Sequence, residues 1–498
     1  MAKIRTELKH LFLVSAVLIF IISGCSRTEE KSMRKVVDVG FGSELEAKLE
    51  PLIQKVIEAY ALPGMAIGVI TENKTAYARG FGYKNINTRE PITATTLFHM
   101  ASISKPFVAT AIMQLIEQGK IDLSAFVTTY LPYFKLADER YKEITIQQML
   151  SHVSGMPDVM DYEWDNPVYD EGALERYVRS LTDRKMRFDP GTKFAYSNMA
   201  FECLGDVIGK VSGMSFADYE KKHILDPAGM KESTFLKPEH LPENWAAGHL
   251  KSLISVAWDG YPYNRMHGPS STLHSNAIEM CHWAITNINR GTFKGNKILE
   301  SSSYDVLWKP WFETGRGDSR NAAVGLSWFL GEYRGEKSVS HGGGDKGFNT
   351  YLTILPEKAM AVVVLCNYIP APVYYVTTAA LDVCLGFQPE EFKPPAGVPV
   401  GRTLAEKGVE AAVAEWTSIK KERAKEYNVS ERQLYFFMNS ILELDRVKEA
   451  KKLALFYLNV LPEQDIQRII KMARSYLKRN PENKAAPAML EILEEFQE

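Results

Sequence analysis

At 498 residues, 45% hydrophobic and 24% charged, the chain has the composition of a globular protein longer than one ordinary domain. Its 59 basic and 61 acidic residues leave a net charge of −2, which excludes the basic footprint of a nucleic-acid-binding protein.

At the N-terminus Lys3, Arg5 and Lys9 precede an apolar run over residues 11–22. That run is short for a membrane span and suits the apolar core of a secretory signal. Ile22-Ser23-Gly24-Cys25 resembles a bacterial lipobox, in which the cysteine is lipidated and becomes the mature N-terminus. Residues 1–24 are therefore expected to be a lipoprotein signal peptide, Cys25 the lipidation site, and residues 25–43 a polar tether. The alternatives are a plain signal peptide or a short membrane anchor. A lipid tether places the protein in the cell envelope, facing the periplasm or exterior. Ser26 resembles an outer-membrane sorting residue, where the host has a second membrane.

From 44 to 387 the pattern is mixed. Helical spacing in "LEAKLEPLIQKVIEAYAL" is followed by "MAIGVI" and "TAYARGFGY", a hairpin across Glu72-Asn73-Lys74. A mostly helical stretch over about 100–310 leads to four short strand candidates, in "VGLSWFLGEY", "KSVSHGG", "NTYLTIL" and "MAVVVLCN". "PVYYVTTAALDVCLGF" reads as a closing helix. Strands at both ends with helices between predict one sheet assembled from distant segments, an α+β fold. Cys203, Cys281, Cys366 and Cys384 lack metal-ligand spacing and sit in apolar stretches, so buried free thiols are expected and zinc is not.

Residues 388–403, rich in Pro and Gly, read as a linker. Beyond them, 404–498 is helical throughout. An offset of 34 aligns Tyr435 with Ile469, Phe436 with Ile470, Met438 with Met472, Ala454 with Ala488 and Leu458 with Ile492. That period resembles tetratricopeptide units, which would offer a protein partner a docking surface. A plain helical cap is the alternative.

One short stretch carries chemistry. In "HMASISKPFVAT", Ser102 stands three residues before Lys105 and opens a run, Val108, Ala111, Ile112 and Leu115, with helical spacing that ends near Gly119. Ser102 can be a helix cap and Lys105 a solvated lysine. Alternatively the two are neighbours on one face, where a desolvated lysine activates the hydroxyl as a nucleophile. The same spacing recurs at Ser32, Ser418 and Ser475, so the pattern alone does not decide.

The surrounding stretches do. "TLFHMASISKPFVATAIMQLIEQGKIDL", "QQMLSHVSGMPD", "RFDPGTKFAYSNMAFECLG" and "SHGGGDKGFNTYLTILPEKAMAVVVLCN" resemble the serine β-lactamase-related hydrolases. The likeness is to the branch holding class C β-lactamases, D-alanyl-D-alanine carboxypeptidases, D-aminopeptidases and esterases. Ser102-x-x-Lys105, Tyr196-Ser197-Asn198 and His341-Gly342-Gly343 stand in the family's order, and the likeness covers about residues 44–387. It implies a β-lactamase/transpeptidase-like domain, an antiparallel sheet flanked by helices plus an all-helical subdomain, followed here by a small all-α domain.

The resemblance also implies roles. Ser102 would form an acyl-enzyme with Lys105 taking its proton, and Tyr196 would serve the leaving group and then water. That tyrosine needs nearby positive charge to lower its pKa, and Lys105 is the candidate. Asn198 would bind a substrate amide or position Lys105. The oxyanion hole would pair the N–H groups of Ser102 and Gly344, where three consecutive glycines, Gly342, Gly343 and Gly344, allow close backbone approach. β-Lactamases of this branch usually carry Lys-Thr-Gly where His341 stands. Histidine resembles the peptidase and esterase members and would be a pH-sensitive anion anchor. No class A glutamate motif is present, so Tyr196 would also serve deacylation.

His99, His152 and His282 read as hydrogen-bonded structural histidines, and Asp158 and Asp189 as turn formers. The expected protein is a membrane-tethered serine hydrolase cleaving an ester or amide of a small-molecule or peptide substrate, without metal or organic cofactor. β-Lactamase or penicillin-binding protein is the alternative among catalysts and acyl acceptors. A non-catalytic binding lipoprotein using the C-terminal helices is the alternative of another class.

Overall fold

The computed structural model describes residues 38–495 apart from 41, 318 and 431. The expected signal peptide, Cys25 and most of the expected tether lie outside the described residues. Among the described residues no helix is long and apolar enough to cross a membrane.

The first described residues are already docked. Val39 bridges Ala78 in both directions, 2.9 and 3.1 Å, and Asp38 is buried against Arg79. The segment expected to be tether thus ends before Asp38. Ser43 caps helix α1 (Glu44–Tyr60) by accepting from the Glu46 N–H, and Ala61 ends it in the left-handed region.

Strands β1 (Gly64–Thr71) and β2 (Lys74–Gly82) form the expected hairpin, with Glu72 and Asn73 both at positive φ, as a tight two-residue turn requires. The other sheet strands come from the far end: β3 (Phe312–Glu313), β4 (Ala323–Val324), β5 (Phe329–Tyr333), β6 (Glu336–Asp345), β7 (Phe348–Leu355) and β8 (Met360–Cys366). They assemble in the order β2-β1-β8-β7-β6-β5-β4-β3, antiparallel throughout. The sheet closes where β1 meets β8, Met65 opposite Cys366, joining segments some three hundred positions apart.

Alternation along β1 explains the layers. Met65, Ile67 and Val69 face α1 and helix α5 (Val373–Leu385). Ala66 and Ile70 face the larger core, built with α2 (Lys105–Glu117), α3 (Asn198–Ser212) and α4 (Ala277–Ile288). Gly68 admits α4, since a Cβ there would lie 2.4 Å from Cys281 Sγ. The fold is the predicted one: an antiparallel sheet between helices, a helical region beside it and an all-helical end.

That end begins earlier than the composition suggested. The stretch read as linker is helical from Gly397, in α6 (Gly397–Lys407), whose Val400 and Leu404 are buried with Trp416 of α7 (Val409–Glu422). Two helix pairs follow, α8 (Arg432–Glu443) with α9 (Val447–Val460), then α10 (Glu463–Arg479) with α11 (Ala485–Glu495). The offset of 34 carries Met438 of α8 onto Met472 of α10, and Ala454 of α9 onto Ala488 of α11. These helices share a core with the rest: Leu253, at a hairpin tip of the hydrolase-like region, is 3% exposed among them. Cys203, Cys281, Cys366 and Cys384 are free thiols.

Candidate active site

Ser102 lies within a tight turn, Ala101–Ser104, that leads directly into α2. It caps nothing: no side-chain cap bond forms at this helix start, and Lys105 with Pro106 opens the α-helical part. The residue before it, Ala101, sits at φ +50°, strained backbone for a side-chain-bearing residue and held where a serine must be presented. Met100 fixes the segment. Its carbonyl accepts from Thr350 Oγ1 on β7 at 2.9 Å, and its N–H donates to Leu273 O at 2.8 Å.

Lys105 is fully buried, and its Nζ donates to Ser102 Oγ at 2.9 Å and to Ser270 O at 2.7 Å. Desolvation pushes its pKa down to about 8, against the charges of Glu202, Asp345 and Asp158. A neutral lysine is thus accessible near physiological pH, as a base for the hydroxyl it touches.

Tyr196 lines the cleft beside Ser102, whose hydroxyl acts on the phenol. Its own pKa runs opposite to the expectation: burial pushes the phenol up, and the Ser102 hydroxyl and Arg316 only partly oppose this. Tyr196 is therefore a neutral phenol, able to donate and relay a proton and not to wait as phenolate. Lys105 Nζ lies over its ring, 5.0 Å from the centroid, so the cation meets the π face and not the oxygen.

The loop carrying Tyr196 is zipped to residues 152–158. Ala195 N–H donates to His152 O at 2.9 Å, Ser197 N–H to His152 Nδ1 at 3.2 Å, and Ser197 Oγ to Pro157 O at 2.7 Å. Asp158 Oδ1 accepts from both the N–H (2.8 Å) and the Nδ2 (3.0 Å) of Asn198. Asp158 is thus more than a turn former, because it aims the Asn198 amide. Asn198 Oδ1 is left buried without a partner among the described residues. Lys105 is held by Ser270 and Ser102, so positioning it falls to them and not to Asn198.

On the facing side, β6 brings His341, Gly343 and Gly344 to the site. Gly343 is the one required for approach: a Cβ would lie 2.2 Å from Met100 O and 3.2 Å from the Ala101 Cβ. At Gly344 a Cβ would meet only ordinary contacts of 3.5 Å or more. His341 corrects the expectation of an anion anchor. It is 1% exposed, and burial with Lys105 nearby pushes its pKa down to about 3. It is neutral, its Nδ1 engaged with Gly342 O at 2.8 Å and its Nε2 unpartnered among the described residues.

The cation facing the cleft is one the sequence did not single out. Arg316, from the loop after β3, stacks over Phe194 and Phe329, 5.3 and 4.9 Å from their ring centroids. It lines a cleft of about 580 Å³ with Ser102, Tyr196, His341, Gly343 and Asn349. Among the described residues no acid pairs with it. Nothing in "ETGRGDSR" marks it, since an arginine between glycines reads as a solvated loop.

The other histidines are structural, as expected. His99 Nε2 bonds Asp345 Oδ2 at 2.8 Å, and His282 Nδ1 bonds Gly229 O at 3.0 Å. His152 also stacks on Tyr196. Asp189 pairs with Arg140 at the surface. Among the described residues no cluster of His, Cys, Asp or Glu is arranged to hold a metal ion.

Comparison with known proteins agrees with this geometry. The profile of the family described as Beta-lactamase matches residues 49–384. Protein flp of Staphylococcus aureus (strain MW2) is 24% identical over 345 residues, 68% of this chain and 67% of that protein. Penicillin-binding protein 4 of Amycolatopsis lactamdurans is 26% identical over 348 residues, 67% of this chain and 89% of that protein. The octameric penicillin-binding protein homologue from Pyrococcus abyssi superposes with a TM-score of 0.61 at 28% identity, covering 72% of this chain and 81% of that one.

Proposed function

The chain belongs to the β-lactamase family of serine hydrolases and penicillin-binding-protein-like proteins, and from that premise we propose that it is a hydrolase of the D-amino-acid peptidase type. It cleaves an amide or ester lying next to a free carboxylate. The observation that carries this reading is Arg316, a guanidinium on the cleft that holds Ser102, with no acid paired to it among the described residues. A guanidinium with no acid of its own is a ready partner for a carboxylate, through paired N–H···O bonds. A simple esterase has no use for it, and neutral His341 cannot replace it.

Each step is assigned to a residue of the site. Neutral Lys105 removes the Ser102 proton as Oγ bonds to the substrate carbonyl carbon. The carbonyl's π electrons move to its oxygen, which the Ser102 and Gly344 N–H groups receive. The tetrahedral adduct collapses, the C–N or C–O bond breaks, and the leaving group takes the proton that Lys105 accepted from Ser102. Water then attacks the acyl-serine, giving its proton back along the same path. The products are a carboxylic acid and restored Ser102.

The test compares a peptide ending in D-Ala-D-Ala with the same peptide amidated at its C-terminus. The free acid is expected to be cleaved about tenfold faster or more, and Arg316→Gln to abolish that preference while keeping p-nitrophenyl acetate hydrolysis. Equal cleavage of acid and amide by the wild type contradicts the reading.

The same proposal places the protein on a membrane through lipid on Cys25, supported by the apolar run and the small residues ahead of that cysteine. Cys25→Ala is expected to move it from the membrane to the soluble fraction. Unchanged membrane association contradicts the anchor.

A further inference from the structure

Lys105 is held from behind by a buried group that none of the three motifs contains. Ser270 O accepts from Lys105 Nζ, and Ser270 is itself gripped by Glu202. Glu202 Oε1 accepts from Ser270 Oγ at 2.5 Å and from His267 Nδ1 at 3.1 Å, while Glu202 Oε2 accepts from Ser270 N–H at 3.3 Å. Glu202, His267 and Ser270 are each 0% exposed. Glu202 stands four residues after Asn198 on α3, one helical turn deeper on the same face. His267 is walled by the rings of Tyr162, Trp164 and Tyr177.

A carboxylate so far from water is expensive unless its bonds and charge are used. Here both are. The two bonds to Ser270 fix the direction of its carbonyl, which fixes Lys105 Nζ against Ser102 Oγ. The charge opposes the desolvation of the ammonium that Lys105 becomes in each turnover. The groups acting on Lys105 are the rings of Tyr196 and Phe201, which its Nζ faces, Ser102 Oγ and Ser270 O, which it bonds, the charges of Glu202, Asp345 and Asp158, and the neighbouring rings of His152 and His341. Of the acids that act on Lys105, Glu202 has the largest effect, ahead of Asp345 and Asp158.

We propose that Glu202, acting through Ser270, is a positioning residue for the Lys105 base: its bonds aim the amine at Ser102 and its charge stabilises the protonated form between proton transfers. This rests on the reading of Ser102 and Lys105 given above. It separates aim from charge. Glu202→Gln keeps the shape and removes the charge. Ser270→Ala keeps the charge and removes one bond of the grip.

Two measurements on the full chain test it. The first is the rate at which a fluorophosphonate labels Ser102, as a function of pH. The second is the titration of Lys105 itself, followed by carbon NMR of its side chain and assigned with Lys105→Arg. Glu202→Gln is expected to move the Lys105 midpoint and the labelling midpoint together to lower pH, by about half a unit or more. Ser270→Ala is expected to slow labelling about threefold to tenfold with an unmoved midpoint. A Glu202→Gln midpoint equal to wild type, or Ser270→Ala labelling at the wild-type rate, overturns the proposal. Should Glu202→Gln fail to fold, Ser270→Ala decides it alone. A Lys105 midpoint that shifts while Ser102 never labels keeps the positioning claim and overturns the assignment of the nucleophile.

Discussion

Tyr196 and His152 lie face to face, ring centroids 4.1 Å apart and planes 23° from parallel. His152 also accepts from Ser197 N–H and takes Ala195 N–H on its carbonyl, so one residue braces Tyr196 from three sides. His152 adopts φ +56° to do so. Burial, with Lys105, His341 and Arg316 nearby, keeps its pKa well below the ordinary histidine value, so it braces as a neutral ring.

His152→Phe keeps the stack and removes the acceptor. Steady-state kinetics are expected to give a fall in kcat of about tenfold, with KM changed less and the pH midpoint unmoved. A kcat equal to wild type would show that the stack alone sets the Tyr196 geometry.

The pH profile follows from Lys105. Burial lowers its pKa to about 8, and the base works only when neutral, so kcat/KM is expected to rise with pH through that region. His341, pushed down to about 3, stays neutral throughout and adds no limb between about pH 5 and 7. His341→Asn should therefore change the rate without changing the profile's shape. An acid limb near pH 6 that His341→Asn removes would return the anion-anchor role to His341.

Glu220 affects stability without touching the site. It is fully buried, neither carboxyl oxygen has a partner among the described residues, and burial raises its pKa well above the ordinary value. The fold thus holds Glu220 protonated, whereas the unfolded chain ionises it. Its contribution is present below the unfolded pKa and declines as pH climbs from there to the raised value. Glu220→Gln removes that decline. Thermal unfolding should show a Tm gain of about 2–4 °C or more at pH ~8, shrinking towards pH ~4.

Leu253 tests how the helical end is attached. It is 3% exposed within the core of α6–α9, and Gly401 approaches so closely that a Cβ would lie 2.5 Å from Leu253 O. Lys346, one residue past the end of β6, pairs with Glu443 of α8 at 3.0 Å and lies over Trp258. Leu253→Ala is expected to lower stability by about 2–3 kcal/mol in denaturant titration, through one transition. Two separate transitions would mean that the end folds by itself.

Periodicity carried much of this architecture. The β1–β2 hairpin, the four late strands and the closing helix each announce themselves by alternation or helical spacing, because each buries one defined face. The order β2-β1-β8 does not, since pairing across the whole chain leaves no local mark. Ser102, Lys105, Tyr196, Asn198 and His341 were legible as motifs, and the structure brings them to one place. Their electrostatics were not legible. The neutral state of His341 and the raised Tyr196 come from burial, which a sequence records only indirectly. Arg316, Glu202 and Ser270 were missed because their partners lie on other elements. Glu202 had the one usable signal, an acid at helical spacing from Asn198 among apolar residues.

The central claim is that Ser102 carries the acyl group. The most direct measurement is mass mapping of the full chain, acid-quenched during turnover of a depsipeptide ending in D-alanine. An acyl adduct on the peptide containing Ser102, absent from Ser102→Ala along with a loss of turnover of about a thousandfold, is the predicted result. Turnover that persists in Ser102→Ala, or an adduct on another residue, contradicts it.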